Sequence, residues 1–163
     1  MPPVATASSL YLEAEAALAK RDLTTADQRL ATLLAQFSDS ALLDQALYER
    51  ARIAYRRHAW ADAQRQLDRL ATIQASPLLE PGAYLACRVG FEAGDRGAAA
   101  CLIGYRSRYP QSPHAADVIG LLAEIAFRAG GCPAVQLQLV ELTQSYPGAA
   151  VTRDWQRRCP GAP

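Results

Sequence analysis

Arg57-His58-Ala59-Trp60-Ala61-Asp62-Ala63 lies between two stretches of helical apolar periodicity, and segments of the same kind recur along the chain. The other three are Lys20-Arg21-Asp22-Leu23-Thr24-Thr25-Ala26, Ala93-Gly94-Asp95-Arg96-Gly97-Ala98-Ala99 and Ala129-Gly130-Gly131-Cys132-Pro133-Ala134-Val135. With Ala26, Ala63, Ala99 and Val135 taken as equivalent, the spacings are 37, 36 and 36 residues. A steady period of this length is typical of helical repeat proteins, in which each repeat is one supersecondary unit.

Each of these segments is predicted to be the turn between two helices. Apolar residues at helical spacing follow the turns, as in Leu23, Ala26, Leu30 and Leu33. Prolines such as Pro110 and Pro147 fall between the units, where helices must stop. A last short helix is rich in arginine, as expected for a cap that faces solvent at the end of a stack.

The sequence therefore predicts an all-α fold, an α-α superhelix (a solenoid) of four helical hairpins with a C-terminal capping helix. The expected boundaries are a flexible lead-in at residues 1–8, repeats at about 9–40, 41–77, 78–113 and 114–148, a capping helix at 149–159 and a tail at 160–163.

Small residues recur where the paired helices are expected to cross: Ala14 with Ala26, Ala51 with Ala63, and Cys87 with Ala99. A bulky residue follows one turn later, at Leu30, Leu67, Ile103 and Leu139. In these features, and over nearly its whole length, the chain resembles the tetratricopeptide repeat family. It departs from the family late in the first helices, where Ala17, Ala54, Gly90 and Ala126 replace the usual tyrosine.

Two of the unit ends carry a further likeness. Gln36-Phe37-Ser38-Asp39-Ser40 and Arg108-Tyr109-Pro110-Gln111-Ser112-Pro113 are similar to the unit ends of repeats in bacterial cell-envelope proteins, such as outer-membrane assembly lipoproteins and Tol–Pal coordinators. The resemblance implies a non-catalytic protein–protein interaction scaffold in a cell-envelope assembly, located in the periplasm. Likeness of fold alone does not fix a function.

First helices line the concave face in the tetratricopeptide family, so the resemblance implies a groove for a partner peptide or helix. The positions carried over are aromatic and arginine residues: Tyr11, Tyr48, Arg52, Tyr55, Arg56, Tyr84, Arg88, Phe91, Phe127 and Arg128. Such residues anchor protein interfaces, and the arginines suit an acidic partner. The alternative is that the aromatic rings fill the core between units and the arginines are solvated.

Composition and motifs argue against several other classes. A formal net charge of +1 is not that of a nucleic-acid-binding protein, and no apolar run approaches the ~18–20 residues that span a bilayer. His58 and His114 have no partner at ligand or base spacing, and no hydrolase or zinc-protease motif occurs. We therefore expect no catalysis, no metal and no cofactor.

The four cysteines contain no Cys-x-x-Cys pair, which argues against zinc. Cys132 begins a second helix and Cys159 ends the capping helix, so both are expected at the same end of the stack, where a disulfide would fasten the cap. An even cysteine count placed in this way favours an oxidising compartment. Buried free thiols in a cytosolic protein are the alternative.

Two other functions remain open at this point. The chain could be a self-association module, in which an exposed stripe of Leu10, Leu12 and Leu18 packs on a second copy to form a homo-oligomer. It could also be a cytosolic adaptor or export chaperone with the same fold and reduced cysteines.

Overall fold

The computed structural model describes residues 5–161, and every regular element within them is helical, which confirms the all-α fold class. The chain divides into two compact units, Met1–Val89 (unit 1) and Gly90–Pro163 (unit 2). Unit 1 contains α1 (Ala7–Ala19), α2 (Leu23–Gln36), α3 (Leu43–Arg56), α4 (Trp60–Ala71) and most of α5 (Leu79–Glu92). Unit 2 contains α6 (Ala98–Arg108), α7 (Ala115–Gly130), a 3₁₀ helix (Cys132–Val135), α8 (Gln136–Ser145) and α9 (Ala150–Arg158).

The start of α1 differs from the expectation of a flexible lead-in over residues 1–8. Thr6 and Ser9 form a capping box, in which the Ser9 amide donates to Thr6 Oγ1 at 3.1 Å and the Thr6 amide donates to Ser9 Oγ at 2.9 Å. These bonds satisfy amides that the first helical turn leaves without partners. Ala7 and Ser8 therefore belong to the helix, and residues 1–4 lie outside the described part of the chain.

The four predicted turns share one backbone feature. Arg21, His58, Gly94 and Gly131 all have positive φ, between 57° and 72°. A residue with positive φ just after the last helical turn is a common way for a helix to end, although Gly131 combines it with a ψ of −158°, outside the left-handed helical region. The repeat seen in the sequence is thus accompanied by a repeat of positive φ, even where the residue is not glycine.

In unit 1, α1 packs on α2, α2 on α3 and α3 on α4. The predicted small residues Ala14, Ala26, Ala51 and Ala63 are all fully buried. Gly82 of α5 comes so close to α4 that a Cβ there would lie 2.8 Å from Leu70 Cδ2. Close packing of this kind fixes which face of each helix is left for other contacts.

In the third repeat, the buried residues differ by one position from those predicted from the sequence. Ala99 and Ile103 were expected at the crossing and one turn later, but Ala98 and Leu102 are the buried residues, and Ile103 is 56% exposed. The buried series is Leu30, Leu67, Leu102 and Leu139, followed by Leu33, Leu70, Tyr105 and Leu142. The turn before α6 is one residue shorter than the sequence alignment assumed, which rotates α6 by about 100°.

In unit 2, α7 packs on α6, on the 3₁₀ helix, on α8 and on α9. The core joins Ile119 and Ala123 of α7 to Val135, Leu139 and Leu142, and Trp155 of α9 completes it. A disulfide joins Cys132 to Cys159, with their Cα atoms 5.5 Å apart. Cys87 and Cys101 are disulfide-bonded as well, so none of the four cysteines is free.

The corrected frame of α6 can be tested on two adjacent residues. We expect Leu102→Ala to lower the free energy of unfolding by about 2–5 kcal/mol, because it leaves a cavity in the core. Ile103→Ala removes an exposed side chain and should change it by less than about 0.5 kcal/mol. Urea unfolding followed by far-ultraviolet circular dichroism measures both. A larger loss from Ile103→Ala than from Leu102→Ala would restore the frame taken from the sequence.

Candidate functional site

The predicted tyrosines and arginines of unit 1 lie on one face of their helices. Tyr48, Arg52 and Tyr55 are four and three residues apart on α3, and Tyr84 and Arg88 are four apart on α5. Residues at these spacings point to the same side of a helix. We call these five residues, together with Tyr11 of α1, the Tyr–Arg surface.

Arginine stacking connects α3 to α5. The Arg88 guanidinium carbon lies 5.3 Å from the centre of the Tyr55 ring and 5.9 Å from that of Tyr84. Within α3, the Arg52 guanidinium carbon lies 5.9 Å from the centre of the Tyr48 ring. These distances are within the range of cation–π attraction, which is worth about 0.5–1 kcal/mol at exposed sites. Arg88 therefore contacts one tyrosine on each of the two helices, and Arg52 contacts a tyrosine of its own helix.

The tyrosine rings of this surface also pack on the core. Tyr11, Tyr48 and Tyr55 contact the buried cluster of unit 1 and remain partly exposed. Burial raises the pKa of Tyr11 and of Tyr48 above the ordinary value of 10.0, and the nearby Arg52 opposes both shifts. Both hydroxyls thus stay protonated at neutral pH and can donate a hydrogen bond. Core packing and exposure are combined in the same side chains.

The arginines of α3 differ in whether an acidic side chain pairs with them. Arg52 Nη1 forms an ion pair with Glu49 Oε1 at 2.7 Å. Arg56, one turn after Arg52 on α3 but outside the defined surface, is exposed and forms no ion pair within the described residues. A cation that is available to an external carboxylate therefore lies beside the Tyr–Arg surface.

Unit 2 contains the remaining predicted residues. The Arg128 guanidinium carbon lies 4.8 Å from the centre of the Phe91 ring, and Phe91 itself is only 8% exposed. Phe91, predicted to contact a partner, is therefore mainly a core residue that supports Arg128. Phe127 is half-buried and meets Trp155 of α9, with ring centres 5.7 Å apart.

Sequence reasoning missed Arg158, which contacts these rings most closely. Its guanidinium carbon lies 3.9 Å from the centre of Phe127 and 4.6 Å from that of Trp155. Arg158 also pairs with Glu124, which accepts from Arg128 as well at 3.1 Å. The spacing of Trp155 and Arg158 on one helix is the available signal, but the arginine-rich composition of α9 favours a solvent-facing cap.

Glu124 is held as a carboxylate by these two arginines. Hydrogen bonding from Arg158, and then from Arg128, lowers the pKa of Glu124 below its ordinary value of 4.5. Favourable interaction with the charged form is what moves an acid in this direction. Because the pKa is lower in the folded chain, Glu124 stabilises the fold at neutral pH, and this contribution is lost as the pH falls through the folded-state pKa.

Other kinds of site receive no support from the described residues. Within residues 5–161, no group of three or more His, Cys, Asp or Glu side chains is arranged to hold a metal ion. None of the helices found there is long and apolar enough to cross a membrane.

Comparison with known proteins identifies no family for this chain. No protein-family model matches the sequence, and the search of curated proteins finds no match. The site must therefore be interpreted from its own chemistry.

The pairing of Arg158 with Glu124 can be measured by nuclear magnetic resonance. We expect Arg158→Gln to raise the pKa of Glu124 toward 4.5, because the largest cause of its lowering is removed. Arg157→Gln is the matched control, since Arg157 pairs with Asp154 instead. Carbon-detected titration of the Glu124 carboxyl in both variants reports the result. An equal pKa in the two variants would show that Arg158 does not hold Glu124.

Proposed function

We propose that this chain is a non-catalytic interaction scaffold of the tetratricopeptide type, which binds a helix or peptide of a partner protein on the first-helix face of its hairpins. The observation that carries the proposal is the Tyr–Arg surface. Partly exposed tyrosines that rest on the core are held in place before a partner arrives, so binding orders few side chains. Tyrosine and arginine are also the residue types that most often dominate binding energy.

The charges of this surface favour an acidic partner. Arg56 is exposed and lies on the same helix as the Tyr48, Arg52 and Tyr55 series. A guanidinium offers several donors in one plane, which suits a carboxylate in two-pronged contact. We therefore infer a partner segment that combines an apolar or aromatic contact with Asp, Glu or a chain terminus.

A bacterial cell envelope, and the periplasm in particular, is the compartment that we propose. Disulfides persist in oxidising compartments and are rare in the cytosol, and all four cysteines are disulfide-bonded. The same observation disfavours the alternative of a cytosolic adaptor or export chaperone with reduced thiols.

Self-association is the second candidate function. Leu12 on α1 is 67% exposed, although single exposed hydrophobic residues are common on protein surfaces. The predicted stripe of exposed leucines contains fewer exposed residues than the sequence indicates, because Leu10 is buried at 3% exposure and Leu18 is half-buried. A single exposed leucine gives this candidate less support than the Tyr–Arg surface gives the first.

The Tyr–Arg surface can be tested by partner capture. We expect Tyr48→Ala with Arg52→Ala to lose a partner that the wild type captures from an extract of the source organism, because two anchors of the surface are removed. Loss of one such anchor costs about 2 kcal/mol or more, which is over tenfold in affinity. Quantitative mass spectrometry of captured proteins measures the loss.

The matched control is Arg108→Ala with Tyr109→Ala. Arg108 also stacks on a tyrosine, at 5.4 Å from the Tyr109 ring centre, but this pair lies at the end of α6, a second helix. Capture lost equally in both double variants, or retained in both, would contradict binding at the Tyr–Arg surface. Circular dichroism confirms that each variant is folded, and sedimentation of the wild type at several concentrations tests the self-association candidate.

A further inference from the structure

Helix α9 is seated on α7 through three residues of one helical face. Val151, Trp155 and Arg158 are four and three residues apart, which is the spacing of anchors when a helix lies in a groove. Val151 lies over Gly120, where a Cβ would come within 2.4 Å of its Cγ2 atom. Trp155, 5% exposed, enters the core, and Arg158 covers Phe127. Along its length, the face of α7 therefore offers a shallow space at Gly120, an apolar pocket that holds Trp155 and a site at Phe127 for a cation.

The residue at position 120 distinguishes this face from those of the other first helices. At the repeat position of Gly120, the first three units carry Tyr11, Tyr48 and Tyr84. A tyrosine in place of Gly120 would fill the space that Val151 occupies. Glycine is thus required here because another helix lies against the face, and α9 is the helix that now does so.

The noncovalent attachment of α9 depends on few buried side chains. It has nine residues, of which only Thr152 and Trp155 are buried, and its N-cap residue Ala149 provides no side-chain hydrogen bond. A helix of this length is not stable by itself in water. The ion pair between Arg158 and Glu124 is partly exposed, and such pairs contribute little. The main chain joins the N-terminal end of α9 to α8, and the covalent bond between Cys132 and Cys159 is what fastens its C-terminal end.

We propose that the face of α7 formed by Gly120, Ala123, Glu124 and Phe127 is a helix-docking surface, and that the Cys132–Cys159 disulfide determines whether α9 or a partner helix occupies it. The occupant is a protein helix with the anchors that α9 now supplies. These are a β-branched residue, an aromatic residue four positions later and an arginine three positions after that. This surface lies in unit 2, and it stands independently of the Tyr–Arg surface in unit 1.

The exchange requires only a thiol. Cys132 is partly exposed and Cys159 is buried, so the thiolate of a small thiol such as glutathione attacks Cys132 Sγ. A sulfur–sulfur bond forms to Cys132, the Cys132–Cys159 bond breaks, and Cys159 leaves as a thiolate that takes up a proton. A second thiolate can then displace glutathione from Cys132. The reaction exchanges one disulfide for another and needs no net oxidant or reductant.

This chemistry allows a trapping experiment on the full-length wild type. The protein is incubated in a glutathione redox buffer with a labelled peptide of residues 149–159, which includes Cys159 and the three anchors. If the peptide replaces α9, its cysteine forms a disulfide with Cys132, which adds the mass of one peptide. The control peptide carries Trp155→Ala and Arg158→Ala but keeps the cysteine, so its thiol chemistry is unchanged.

We expect the wild-type peptide to be trapped on Cys132 at least about tenfold more than the control peptide, since truncation of a tryptophan anchor costs this much or more. Proteolytic mapping distinguishes Cys132 from Cys87, Cys101 and Cys159, and a protein with Cys132→Ser and Cys159→Ser should form no adduct at this site. Equal trapping of the two peptides would show thiol exchange without docking. No trapping of either would show that α9 is a fixed structural cap, and either result overturns the proposal.

Hydrogen exchange supplies a second readout that does not use the peptide. Upon reduction we expect the α9 amides to lose protection while those of α1 to α4 keep theirs, because the Cys132–Cys159 bond fastens the C-terminal end of α9 and joins no residue of α1 to α4. Unchanged protection of α9 would contradict the proposal. Neither experiment uses a captured partner, so failure here is separate from failure of the proposed scaffold function.

Discussion

The close crossing of paired helices at small side chains is the constraint on which the rest of this structure depends. Ala14 with Ala26 and Ala51 with Ala63 are buried between their helices, and a larger side chain at any of them would force the backbones apart. Because these contacts fix the rotation of each helix about its axis, they also fix which residues face away from the crossing. The tyrosines and arginines of α3 and α5 share a surface as a consequence of that rotation.

Arginine stacked on an aromatic ring recurs in both units. Arg88 lies over Tyr55 and Tyr84, Arg128 over Phe91, and Arg158 over Phe127 and Trp155. Such stacking stabilises the fold, and the proposed scaffold function would use the same side chains for recognition, since a guanidinium lies flat on an aromatic ring and keeps several N–H donors in its own plane. The sequence left two alternatives open for these residues, core filling and partner binding. Both can apply to the same side chain.

Helix α9 follows the same logic at the end of the chain. Its polar composition indicated a simple cap, but Trp155 completes the core of unit 2, and Arg158 reaches Glu124 and Phe127 on α7. Glycine at position 120 is what permits the approach, because any side chain there would meet Val151. A short polar helix can thus be a specific ligand of its own chain.

The sequence by itself determined the helical class, the places where helices end and the residue types of the candidate surface. These features depend on local periodicity and on turns such as the one at His58, which neighbouring residues decide. Only the tertiary structure decided that Leu102 rather than Ile103 is buried, that Leu10 is covered, and that Arg158 pairs with Glu124. A one-residue difference in a turn rotates the following helix by about 100°, and spacing along the chain does not reveal it. Contacts between residues 34 positions apart, as between Glu124 and Arg158, depend on how whole helices pack, which no local pattern specifies.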